Sequence, residues 1–267
     1  MPNWTGWRRK SRPRLVDAIR PAVLITGAGR RIGAVLAQAF GAAGWHVVLH
    51  VGHSPDAAEA IAASLPSAEV VQCDLLDGVA ALALVAQLAE RLPDWRVLVN
   101  CAAVFRPDSA AALDPAIFAE AMTVNAQTPT RMAQAFLAQA NSAGGKRVIQ
   151  FLDQKLLNPN PDFFSYTMAK HAFAATVPML AMAQTHAQDR VYGLAPGAML
   201  PSHDQRDEEH EASGRMNLLH RLTDPQELAQ AALWLAQGWL ASGQTLFIDS
   251  GQHLLAQPRD VLYLARE

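Results

Sequence analysis

The sequence predicts an α/β fold, a doubly wound parallel sheet of seven strands with helices on both faces. Three observations lead there. Short apolar runs alternate with long segments of helical period from about residue 20 to 255. Strand, helix, strand repeated in this way gives a parallel sheet covered on both sides. No shift of composition marks a linker, so the 267 residues read as one domain.

The candidate strands are residues 22–26, 46–50, 69–73, 96–100, 147–152, 190–194 and 245–248. Between them lie candidate helices at 31–43, 56–65, 79–92, 115–141, 166–188 and 225–237, whose alanine-rich apolar faces repeat every three and four residues. Ser54-Pro55, Asp114-Pro115 and Asp224-Pro225 are start signals, because proline suits a first helical turn. Pro178 falls inside a helix, removes one hydrogen bond and is expected to kink it. The domain is expected over residues 21–255, with a flexible basic arm at 1–20 and a short tail at 256–267. One stretch, 197–221, is polar, acidic and irregular, and a loop of that length inside a domain is usually functional.

Composition excludes several classes. Hydrophobic residues make up 51% and charged residues 17%, which is globular rather than disordered. The net charge of −2 argues against a general nucleic-acid binder, and it averages two unlike parts. Residues 1–20 hold six basic groups and one acid, leaving 16 basic and 23 acidic groups in the rest, a net of −7. No apolar stretch is long enough to span a membrane. Cys73 and Cys101 sit in apolar runs, with no disulfide framework, so a reducing, cytoplasmic setting is expected. The nine histidines form no recognisable zinc motif, and no metal is expected.

The first strand runs into Thr26-Gly27-Ala28-Gly29-Arg30-Arg31-Ile32-Gly33 and then a helix. Glycine after a strand permits a tight turn and close backbone approach, and the helix N-terminus offers N–H groups to a pyrophosphate. At this position the pattern is a Rossmann dinucleotide turn. The second strand continues as His50-Val51-Gly52-His53-Ser54, with no acid before Asp56. An acid there would bind the ribose hydroxyls of NAD. Arg30, Arg31, His53 and Ser54 suit a 2′-phosphate instead, so NADP(H) is the expected cofactor.

Tyr166 and Lys170 stand four apart, on one helix face. A nearby ammonium stabilises phenolate, so Lys170 is expected to lower the Tyr166 pKa and make it a proton donor at working pH. Together with the glycine turn, this pattern resembles the short-chain dehydrogenase/reductase family over roughly residues 20–255. Asn100-Cys101-Ala102-Ala103 resembles the family segment after strand four, and Asp74-Leu75 its adenine-contacting pair. Asn125 matches the asparagine that supports a proton-relay water, and Pro196-Gly197 the loop beside the nicotinamide. The resemblance implies a small-molecule substrate, a lid at 197–221 and a homo-oligomer, a tetramer in most members.

One departure is informative. The family places a serine 13 residues before the tyrosine, and here that residue is Asp153. An ionised carboxylate cannot donate to a ketone oxygen, but it suits a ring bearing N–H and NH₂ groups, or reduction of a C=N bond. Asp153, Tyr166, Lys170, the double arginine and His53-Ser54 resemble pteridine reductases and bacterial dihydromonapterin reductases within the family. There Phe105 matches the aromatic that stacks on the pterin, and Arg31 reaches both cofactor phosphate and substrate. The expected activity is NADPH-dependent reduction of a pterin-like substrate, a dihydropterin or dihydromonapterin, with dihydrofolate as a further candidate. Two alternatives stand beside it: a carbonyl reductase of a 3-oxoacyl thioester or other ketone, and a non-catalytic NADP-binding protein.

Overall fold

A computed structural model describes residues 19–202 and 205–267. All but the last two residues of the basic arm therefore lie outside the described residues. Seven strands form one parallel sheet: β1 (Ala22–Thr26), β2 (His46–Val51), β3 (Ala68–Gln72), β4 (Trp95–Asn100), β5 (Arg147–Phe151), β6 (Arg190–Pro196) and β7 (Thr245–Ile248). Their order is β3-β2-β1-β4-β5-β6-β7. The order reverses between β1 and β4, and the loops leaving those strands diverge there to open a crevice at their C-terminal ends.

Alternate strand residues face opposite sides, and both sides are apolar. On one side Leu24, Val48, Leu98, Val148 and Val191 pack with residues of α3 (Gly78–Arg91), α5 (Thr128–Gln139) and α6 (Phe164–Ala183). On the other, Val23, Ile25, Val47, Val97, Val99 and Ile149 pack with α1 (Arg31–Ala42) and α8 (Pro225–Ala236). A further helix, α2 (Asp56–Ser64), follows β2. Aspartates start several helices: Asp77 accepts from Val79 and Ala80, and Asp224 from Gln226.

Four expectations need correction. The single helix at 115–141 is two, α4 (Pro115–Met122) and α5, joined by a π-turn over Thr123–Gln127. A π-turn carries one more residue than an α-turn, so α4 can pack on α6 while α5 packs on α3. The tyrosine helix begins two residues earlier than expected and ends at Ala183, having continued past Pro178. The irregular segment contains α7 (Asp207–Gly214), and the tail contains α9 (Val261–Leu264), which packs against α7.

Candidate active site

The glycine turn joins β1 to α1. Gly27 has φ +69°, a region that favours glycine, and an added Cβ would lie 3.0 Å from the Ala102 Cα. At Gly33 a Cβ would fall 2.2 Å from the Gly27 carbonyl oxygen, so only glycine lets the helix start this close to the strand. The Thr26 hydroxyl accepts from the amides of Cys101 (2.9 Å) and Ala102 (3.0 Å), tying the turn to the loop after β4. Gly27, Gly33, Asn100 and Ala102 are thereby brought to one place, and the Ile32 side is packed on the core.

His50, at the end of β2, organises the turn from beneath and was not singled out in the sequence. Its Nδ1 accepts from the Gly27 amide (3.4 Å), and its Nε2 donates to the Cys73 carbonyl (2.9 Å). Accepting at Nδ1 requires the neutral ring, and burial pushes its pKa down to about 4. An unfolded histidine titrates near 6.5. His50 therefore stabilises the fold fully above that pH, and the contribution is lost as pH falls towards 4, by about 3 kcal/mol at the extreme. Urea unfolding at pH 7.5 and 4.5 is expected to show a shallower acid loss in His50→Asn than in wild type. Equal losses in the two proteins would remove His50 as the cause.

Arg30 is exposed, as are His53 and Ser54 on the loop after β2. The glycine turn is joined to the end of β2, since the Ala28 amide donates to the His50 carbonyl (2.9 Å), and no carboxylate stands between Gly52 and Pro55 in the loop that follows. Arg31 departs from the simplest expectation. It sits at φ +53° and its guanidinium donates to the carbonyls of Pro201 and Leu200, at the start of the 197–221 segment. Exposed Asp74 accepts from the Leu76 amide (2.9 Å), while Leu75 is buried. Pro196-Gly197 ends β6 against β7, and Gln252 Oε1 holds the next amide, Ala198 (2.9 Å).

The chemistry gathers between β5 and α6. Tyr166 Oη donates to Asp153 Oδ2 at 2.7 Å. Lys170, one turn along, donates from Nζ to the Phe151 carbonyl (2.6 Å), with Nζ 5.6 Å from the Tyr166 ring centre. Asp108 receives the Ser165 amide (3.0 Å) and its hydroxyl at the start of α6, so Ser165 faces away from the reacting groups. Asp108 also escaped the sequence reading, because 57 residues separate it from its partner.

The electrostatics correct the sequence expectation. Burial and the Asp153 charge drive the Tyr166 pKa well above the tyrosine value, rather than Lys170 lowering it. Burial lowers Lys170 to about 8 and raises Asp153. Sequence spacing showed the lysine but not the carboxylate hydrogen-bonded to the phenol. A neutral phenol that does not ionise is a proton store, and a carboxyl with a raised pKa holds a proton more readily than an ordinary aspartate.

Asn125 lies in the π-turn, and its side-chain amide makes a two-bond clasp on Val104. Oδ1 accepts from the Val104 amide (2.8 Å) and Nδ2 donates to the Val104 carbonyl (2.8 Å). It fixes the loop that presents Phe105. That ring stacks on Phe163 (3.9 Å between centroids, 18°) and meets Tyr166 edge-on (4.7 Å, 86°). Cys101 lies beside them, its thiol pushed up to about 12 by burial and so unreactive. Among the described residues no cluster of metal-ligating side chains occurs, and no helix is long and apolar enough to cross a membrane.

A parallel sheet with a glycine turn at its switch point and a Tyr/Lys helix defines a dinucleotide-dependent oxidoreductase. Over residues 27–253 the chain matches the family described as enoyl-(acyl carrier protein) reductase, and it belongs to the short-chain dehydrogenase/reductases. Alternative dihydrofolate reductase 1 (FolM) of Brucella canis, solved in complex with NADP, is 33% identical with a TM-score of 0.83, the match covering 91% of this chain and 97% of that one. Pteridine reductase 1 of Leishmania tarentolae is 25% identical over 279 residues, covering 88% of this chain and 96% of the relative. The 7alpha-hydroxysteroid dehydrogenase of Escherichia coli (strain K12) is 28% identical over 244 residues, covering 85% and 92%.

Proposed function

We propose that this oxidoreductase is an NADPH-dependent reductase of a pterin-like ring. The observation that carries the reading is the Asp153–Tyr166 hydrogen bond of 2.7 Å, a carboxyl paired with the phenol where the family has a serine hydroxyl. An ionised carboxylate accepts from ring N–H and NH₂ groups, and a ketone has no such donors to offer it. Likeness to a FolM-type reductase and a pteridine reductase supports the same class.

The cradle fits the cofactor: Gly33 lets the turn after β1 close directly onto the start of α1, whose N-terminal amides would meet a pyrophosphate. Arg30, His53 and Ser54 would hold a 2′-phosphate, Arg31 a cofactor phosphate and the substrate ring, Asp74 and Leu75 the adenine, and Asn100, Ala102, Pro196 and Gly197 the nicotinamide half. NADPH, when bound, supplies the hydride. Tyr166 supplies the proton and Lys170 supports its charge and holds the ribose. Asp153 orients the ring, and Phe105 offers a flat apolar face. Asn125 sets the position of Phe105 through Val104. The exposed methionines 168, 179 and 182 on α6 support the oligomer that the resemblance implies, which sedimentation measures directly.

NADPH oxidation measured in parallel with dihydropterins, dihydrofolate and acetoacetyl thioesters tests the reading. Turnover on the dihydropterins is expected. Turnover on the thioester alone would leave a carbonyl reductase, and tight NADPH binding without turnover on any of them a non-catalytic protein.

A further inference from the structure

We infer that the C-terminal segment, residues 257–266, positions the substrate site, with Asp260 and Tyr263 as positioning residues. This inference rests on the reading that the substrate ring sits beside Phe105 and Asp153. The family match ends at residue 253, so nothing in it accounts for these residues.

Two connected sets of contacts lead from the segment to the reacting groups. The first is ionic. Asp260 pairs with Lys155 at 2.6 Å, both side chains being buried. The same Lys155 gives its backbone amide to Asp153 Oδ1 at 2.9 Å. Arg259 grips Asp162 with two bonds, of 2.8 and 3.1 Å, and the Asp260 amide adds a third of 2.9 Å. The loop from Asp153 to Phe163 is thus held at both ends by consecutive tail residues.

The second set is aromatic. Tyr263 stacks on Phe163 (5.8 Å, 16°), which stacks on Phe105, which meets Tyr166 edge-on. Phe163 occupies the left-handed region at φ +51°, a conformation that persists only where its surroundings hold it. Here two rings stack on it, Phe105 and Tyr263. Arg266 extends the connection to the irregular segment, pairing with Glu209 of α7 at 3.2 Å.

A buried ion pair adds little net stability compared with an apolar replacement, but it fixes geometry wherever its partners attach. The partner here attaches to the Asp153 loop. The aromatic ladder acts likewise on Phe105. Removing either is expected to displace the groups that meet the substrate while leaving in place the glycine turn after β1, with which none of these tail contacts is made.

The test compares Tyr263→Ala, Tyr263→Phe and Asp260→Asn in the full chain. With a dihydropterin as substrate, Tyr263→Ala and Asp260→Asn are expected to raise KM by about tenfold, since small misplacements are strongly felt. NADPH affinity is expected to stay within about twofold of wild type, as the turn is separate. Tyr263→Phe, which keeps the stacked ring, is expected to raise KM less than Tyr263→Ala does. An unchanged KM in both disrupting variants, or NADPH affinity falling in step with KM, would overturn the inference. If wild type turns over no dihydropterin, the pterin reading has failed, and amide exchange decides the inference alone. Exchange across 153–163 is then expected to quicken in Tyr263→Ala and Asp260→Asn, with β1 and β4 unchanged. Exchange equal to wild type in that loop would overturn it.

Discussion

Replacing Tyr166 with phenylalanine is expected to lower kcat by about 10²–10⁴-fold, the range a positioned general acid supplies. NADPH affinity should be retained, because the phenol hydroxyl bonds to Asp153 and not to the glycine turn. The substitution keeps the ring that meets Phe105 edge-on, so the aromatic ladder is preserved. Steady-state turnover with titrated NADPH binding separates the two quantities. A fall in kcat of less than tenfold would mean that the proton comes from elsewhere, with Asp153 the first candidate.

Asp153→Asn is expected to lower kcat on a dihydropterin by about 100-fold, as the carboxylate that accepts from the Tyr166 phenol and meets the ring is lost. It should also move the pH profile in a stated direction. The Asp153 charge is one cause of the raised Tyr166 pKa, after burial. Removing that charge lets the phenol ionise at lower pH, and an ionised phenol cannot donate. The alkaline limb of activity therefore moves down in pH. Lys170 titrates at about 8 and loses its positive charge over the same side of the profile. If Asp153→Asn and Asp153→Ser both keep full activity on dihydropterins, the carboxyl has no part in substrate choice.

The sheet was legible because its central strands are buried on both faces and therefore largely apolar, as in Ala22–Thr26 and His46–Val51. The glycine turn and the Tyr166/Lys170 pair were legible because each is contiguous or one helical turn apart. Helix α7 was not: Asp-Glu-Glu-His-Glu has no apolar stripe, so periodicity is blind to it, and it is held by pairs such as Arg206–Glu209. The segment after residue 255 gave no pattern either, because its partners Asn158, Asp162 and Glu209 lie far back in the chain. The Tyr166 pKa came out opposite to the expectation for a related reason. A lysine four residues on is visible in the sequence, whereas a phenol hydrogen-bonded to a carboxylate 13 residues back is a property of the fold.

The π-turn at Thr123–Gln127 makes chain length itself a constraint between α4 and α5. A helix advances about 100° per residue, so deleting one residue there would restore an unbroken α-helix of similar composition. It would also swing Met132 and Phe136 away from their places in the core and carry Asn125 off Val104. Propensity would favour the shorter helix and packing would forbid it. Insertions and deletions among relatives are therefore expected to gather in the loops around this helix pair and to avoid residues 115–139.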